Sequence, residues 1–92
     1  MKFYFSWDPE KAASNRQKHG VSFEEATTVF ADPLARIERD IDRWESEERE
    51  LILGHAASGR LVVISFVQRG SAIRVISARL ATRRERHVYQ EA

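Results

Sequence analysis

The chain has 92 residues, 42% of them hydrophobic and 32% charged, with no cysteine, which fits a single small domain over 1–92 and leaves no room for a second. Without cysteine there is no disulfide framework, no thiolate zinc site and no cysteine nucleophile. No window nears the ~20 apolar residues of a membrane span, and the N-terminus lacks the build of a secretory signal, so a cytoplasmic protein with no membrane partner is expected.

The net charge of +1 is unevenly divided. Residues 1–20 carry +2 and 21–59 carry −6, while 60–92 hold seven Arg against Glu85 and Glu91, giving +5. An arginine-rich segment of this kind is a footprint for phosphates, or merely a solvated surface; the acidic middle suits a basic partner.

In chain order, Phe3, Phe5 and Trp7 alternate with smaller or polar residues and predict a short strand with its aromatics on one side. Asp8-Pro9 predicts a helix start and Gly20 its end, giving a helix from Pro9 to about His19. Lys11, Asn15 and Lys18 fall at i, i+4 and i+7, a polar stripe on one face. Ser22-Phe23-Glu24-Glu25 reads as a capping box in which Glu25 reaches back to the serine, with Val21 and Ala26 as a hydrophobic staple. The second helix so begun ends at Asp32-Pro33.

From Arg36 to Arg43 the pattern alternates and predicts an edge strand. Three further strands are expected at Glu48–His55, Leu61–Gln68 and Ala72–Leu80, turning at Ser58-Gly59 and Arg69-Gly70 as an antiparallel meander. Thr82-Arg83-Arg84-Glu85 is a second capping box, opening a short C-terminal helix through Val88 and Tyr89. The order β-α-α-β-β-β-β-α is an α+β domain: a mostly antiparallel sheet with two N-terminal helices and a short C-terminal one.

If Arg69-Gly70 is a two-residue loop, counting outward sets Arg60 opposite Arg79 at the end of a face that also carries Leu51, Leu53, His55, Val62, Ile64, Phe66, Ile73, Val75 and Ser77. Two facing arginines repel unless an anion lies between them, which makes a phosphate clamp one reading. The other is structural: a helix acid such as Glu10 or Glu85 neutralises them, or a longer turn shifts the register so that they never meet. His19, at the end of the first helix, is of a kind more often a cap or a packing residue than a catalyst, and the same holds for His55 and His87. They show no metal-ligand spacing, so neither a metal nor another cofactor is expected.

The strings Phe5-Ser6-Trp7-Asp8-Pro9-Glu10-Lys11-Ala12, Lys18-His19-Gly20-Val21-Ser22-Phe23-Glu24-Glu25-Ala26, Ile52-Leu53-Gly54, Gly59-Arg60-Leu61 and Ile73-Arg74-Val75-Ile76-Ser77-Ala78-Arg79, with Ala81-Thr82-Arg83-Arg84-Glu85-Arg86, closely resemble the BrnT family of bacterial type II toxins. The resemblance runs from about Phe5 to Tyr89; Arg36 to Glu47 departs from any firm pattern.

The resemblance implies a RelE-like fold and a metal-independent endoribonuclease that blocks translation. Its partner would be a BrnA-type ribbon-helix-helix antitoxin, through which alone it meets operator DNA. Metal-free RNA cleavage needs a base for the 2′-hydroxyl, cations for the phosphate and an acid for the leaving oxygen. Lys18, His19, Arg60 and Arg79 are the candidate catalytic residues, with the arginines as cations and Lys18 or His19 as base or acid. Lys11, Arg83 and Arg84 are candidates for flanking RNA phosphates; Tyr89 is a candidate for stacking on a base, although a tyrosine of a C-terminal helix more often packs against the sheet. A non-catalytic RNA- or ribosome-binding module would show the same arginines, as would a co-repressor acting only with its antitoxin.

Overall fold

A computed structural model describes residues 2–39 and 49–90. Their elements are β1 (Tyr4–Ser6), α1 (Pro9–His19), α2 (Phe23–Thr27), a 3-10 turn (Thr28–Ala31), β2 (Arg36–Arg39), β3 (Glu50–His55), β4 (Leu61–Arg69), β5 (Ala72–Leu80) and α3 (Arg83–Gln90). They form one five-stranded sheet in the order β1-β5-β4-β3-β2, in which only β1 and β5 run parallel. The α+β architecture is the one expected from sequence. The second helix is shorter than expected, its last turn tightening to 3-10 before Pro33. The expected edge strand is seen over Arg36–Arg39; its continuation to Arg43 lies outside the described residues.

Local chemistry explains most element ends. The Asp8 side chain accepts the Glu10 amide at 2.9 Å, and Gly20, at φ 70°, closes α1 by donating its N–H to the Arg16 carbonyl. A left-handed φ costs glycine nothing. Ser22 accepts the Glu25 amide at 3.0 Å, and Val21 and Ala26 are fully buried in one cluster, as a staple requires. In the C-terminal box both halves form: the Thr82 amide donates to Glu85 Oε1 at 2.8 Å and the Glu85 amide to Thr82 Oγ1 at 3.2 Å.

The two sheet faces bury different things. α1, α2 and the 3-10 turn cover one face, where Phe23, Val29, Ile52, Val62, Ile64, Phe66, Ile73 and Val75 are buried, with Phe3, Phe5, Trp7 and Phe30 packed against them. The aromatics meet at tilted or edge-on angles, Phe30 and Phe66 at 5.0 Å and 81°, a geometry their ring quadrupoles favour. The other face holds a smaller cluster of Leu53, Leu61 and Val63, with Leu51, Ala81 and Tyr89 packed against it.

Register overturns the expected face assignment. The β4–β5 turn places Arg69 opposite Ala72, and a bulge puts Ser65 opposite Ser77 but Phe66 opposite Val75, leaving Ile76 as the extra residue. Buried positions on β5 therefore step from Ile73 and Val75 to Ala78. Ser77 and Arg79 leave the main core face for the α3 face, and Arg79 lies opposite Val63. In the neighbouring hairpin His55 pairs with Leu61 and Ala56 with Arg60, one residue away from the expected register.

Asn15 is the one polar α1 side chain that is buried. Its Nδ2 donates to the carbonyls of Val21 at 3.0 Å and Ala78 at 2.8 Å, while its Oδ1 accepts the Ala78 amide at 3.0 Å. The Lys11–Asn15–Lys18 stripe is thus divided: Lys11 and Lys18 are exposed, and Asn15 fastens the helix to β5.

Candidate functional site

The β3–β4 connection is gripped by a polar stripe along α2 and the 3-10 turn. Glu25, Thr28 and Asp32, spaced i, i+3 and i+7, share one side of the helical segment. Asp32 Oδ2 accepts the His55 amide at 2.8 Å, Thr28 Oγ1 accepts the Ala57 amide at 2.8 Å, and Glu25 accepts the Ser58 hydroxyl and the Arg60 guanidinium. Backbone groups of an exposed hairpin end are in this way paired without a further strand.

Arg60 is the cation of this grip. Its Nε donates to Glu25 Oε2 at 2.8 Å and its Nη2 to Glu25 Oε1 and to the Gly20 carbonyl, the latter at 2.9 Å. The Arg60 guanidinium and the Ser58 hydroxyl hold the Glu25 carboxyl below its ordinary range against the opposing push of burial. Glu25 therefore spends its side chain on Arg60 rather than on the helix start that Ser22 caps. The bond to Gly20 brings Arg60 to the end of α1, where Lys18 and His19 are exposed.

Arg79 belongs to a different cluster. Its Nη1 and Nη2 donate to Glu85 Oε1 and Oε2 at 2.8 and 3.0 Å, a bidentate pair that ties β5 to the first turn of α3. Arg79 and the Thr82 amide hold the Glu85 carboxyl down at about 2, although burial opposes them. The expected Arg60–Arg79 facing pair is thus replaced by two separate arginine–carboxylate pairs on opposite faces of the sheet. The physical reason is the turn offset together with the Ile76 bulge. Of the two acids proposed to neutralise them, Glu85 does so for Arg79; Glu25, not Glu10, does so for Arg60. Lys11, Arg83 and Arg84 are exposed, Lys11 on α1 and the two arginines at the start of α3.

A third cluster sits beside the same hairpin end. The Tyr89 hydroxyl donates to Asp32 Oδ2 at 2.7 Å, and the His55 ring meets the Tyr89 ring edge-on at 4.8 Å between centroids. His55 Nδ1 lies 4.0 Å from Asp32 Oδ2; the histidine side chain is 47% exposed and the aspartate 9%. Burial pushes the Asp32 carboxyl up, but the amides of His55 and Leu34, the Tyr89 hydroxyl and the His55 ring outweigh it and leave the group lowered. The bond to Asp32 in turn raises Tyr89. In the sequence Asp32 reads only as a helix stop, so its place behind His55 and Tyr89 was not visible there.

Next to this cluster an open, largely apolar groove runs between the sheet and α3, lined by Leu51, Leu53, Val63 and Val88 with Arg36, Glu38, Arg84 and Glu85 at its margins. Arg36 Nη1 donates to the Val88 carbonyl at 3.1 Å, placing a cation at the C-terminal end of α3, where the helix dipole favours it. Among the described residues no three His, Asp or Glu side chains converge as metal ligands, and no helix is long and apolar enough to cross a membrane.

The fold is similar to that of the Brucella abortus ribonuclease toxin BrnT, known from a 1.1 Å crystal structure. The TM-score is 0.63 with 26% identity, over 90% of this chain and 99% of that one. No curated protein matches the chain. The family model described as the ribonuclease toxin BrnT of type II toxin-antitoxin systems matches residues 7–85. That match takes in Trp7, both N-terminal helices, the meander and the Arg79–Glu85 pair, and by it the chain belongs to the BrnT family of ribonuclease toxins.

Proposed function

We propose that this chain is an endoribonuclease that cleaves RNA without a metal and thereby blocks translation. A ribbon-helix-helix antitoxin of the BrnA type neutralises it, and operator DNA is reached only through that partner. The observation that carries the reading is the Arg60 bond to the Gly20 carbonyl, which supports a cation and the two exposed groups Lys18 and His19 acting at one place. In this reading Arg60 offers Nη1 to the scissile phosphate, and Lys18 or His19 supplies the proton that the leaving 5′-oxygen needs. Arg79 acts by holding α3, while Lys11, Arg83 and Arg84 meet flanking phosphates as distant point charges.

One observation favours the alternative of an RNA-binding module with no turnover: both Arg60 and Arg79 already have carboxylate partners. One assay separates the two. Purified protein incubated with a long RNA in EDTA should produce fragments ending in a 2′,3′-cyclic phosphate or its 3′-phosphate product. Retarded but intact RNA supports the binding module, and magnesium-dependent cleavage to 5′-phosphate ends overturns the metal-free mechanism.

A further inference from the structure

His55 is distinguished from the other exposed histidine beside the grip, His19, by what stands behind it. His19 ends a helix and has no hydrogen-bonding side-chain partner among the described residues, whereas His55 is backed by a carboxylate 9% exposed that two backbone amides and a tyrosine hydroxyl hold in place. A nearly buried carboxylate beside a half-exposed imidazole is the arrangement that fixes a ring's orientation. The 4.0 Å separation is of the loose kind that closes when substrate binds. Tyr89 restrains the ring from a second side by its edge-on contact. Arg36, whose neighbour-strand partner is Leu53, has its guanidinium drawn off to the Val88 carbonyl.

We propose that His55 is the general base of the ribonuclease reaction, with Asp32 and Tyr89 as its positioning residues. The inference rests on the ribonuclease reading above. With Nδ1 turned toward Asp32, the opposite ring nitrogen, Nε2, takes the proton of the ribose 2′-hydroxyl. The 2′-oxygen forms a bond to the adjacent phosphorus as the bond from phosphorus to the 5′-oxygen breaks. The leaving oxygen takes its proton from the Lys18–His19 helix end, and the products are a 2′,3′-cyclic phosphate and a 5′-hydroxyl. The imidazolium later returns its proton to solvent, so no oxidant, metal or further reactant is consumed.

The test is single-turnover cleavage of a long RNA in EDTA by the wild-type chain and by His55→Gln, His55→Ala, Tyr89→Phe and His87→Ala, each measured from pH 5 to 9. General-base catalysis is worth roughly 10²–10⁴-fold, so both His55 variants should lose at least 100-fold in rate. They should keep their melting temperature and RNA affinity, and the acid limb of the pH profile should vanish. Tyr89→Phe, which keeps the ring but frees Asp32 Oδ2 of one donor, should displace that limb with a smaller loss of rate. His87→Ala should behave as wild type. A folded His55→Gln that cleaves within threefold of wild type overturns the assignment while leaving the ribonuclease reading intact; a wild-type chain that cleaves nothing removes both.

Discussion

Glu25 and Arg60, 35 residues apart, close the β3–β4 hairpin onto α2 by a two-point carboxylate–guanidinium contact, and the same guanidinium reaches the Gly20 carbonyl at the end of α1. Three segments of the chain thus meet at one cation. Arg60→Ala and Glu25→Ala should each lower the urea midpoint, and the double variant should lose less than the sum of the two, since the second change removes a group already orphaned. Arg60→Lys should restore little, because an ammonium cannot donate to both carboxylate oxygens in one plane. Fully additive losses in the double-mutant cycle would show that the pair does not hold the hairpin.

Asn15 should be the most costly polar position of α1. Replacing it by Ala strands the Val21 and Ala78 carbonyls and the Ala78 amide in a buried place, and each such loss costs ~1–3 kcal/mol. Asn15→Ala should therefore destabilise the chain by about 2–4 kcal/mol, whereas Lys11→Ala and Lys18→Ala, on the exposed side, should stay within about 0.5 kcal/mol. Equilibrium denaturation of the three variants checks the contrast.

Acid should act through Glu85. Its carboxyl is lowered to about 2 in the fold from an ordinary 4.5, so the folded state binds the proton less readily than the unfolded one. The stabilisation is whole above pH ~5 and is lost as the pH falls through the folded value near 2. With Arg79 40% exposed, solvent screening leaves roughly 1 kcal/mol. Glu85→Gln should be less stable at pH 7 and show a shallower decline between pH 5 and 2; parallel curves for variant and wild type would contradict the linkage.

Gly54 should tolerate no side chain. A Cβ there would stand 3.0 Å from Ala35 Cβ, Asp32 Oδ2 and Val29 Cγ1 at once. The neighbours on that side are packed or hydrogen-bonded, so Gly54→Ala should cost about 1–3 kcal/mol through overpacking. It should also loosen Asp32 from the His55 amide, visible as faster hydrogen exchange at His55.

What the sequence made legible was whatever is decided within a few residues. Asp8, Gly20, Ser22 and the Thr82–Glu85 box marked helix ends because a cap is satisfied by a neighbour two to four positions away. The alternation Phe3, Phe5, Trp7 marked one packed side because period two is local. Register was different. The Ile76 bulge carries no mark in the residue string, yet it moves Ser77 and Arg79 to the other face. Partners chosen across the fold, Glu25 for Arg60 and Asp32 for Tyr89, depend on that register and on helix placement, so Arg60 was named without its partner and Asp32 was read only as a helix stop. The Lys11–Asn15–Lys18 stripe failed for a related reason: spacing gives the face of a helix, and a stripe straddling the boundary of the buried side contributes one residue to the interior.

The asparagine on α1 has a bearing on how the protein behaves among copies of itself. β1 pairs with β5 only at Ala72–Arg74, so beyond that point the outer rim of β5 would present unmatched amides and carbonyls to any passing extended chain. The Asn15 carboxamide meets the Ala78 amide and carbonyl together, standing in for the residue of a strand that is not there. One side chain from a helix thereby denies a foothold for strand addition, at the place where a longer β1 would otherwise be needed to keep a β-rich chain from self-association.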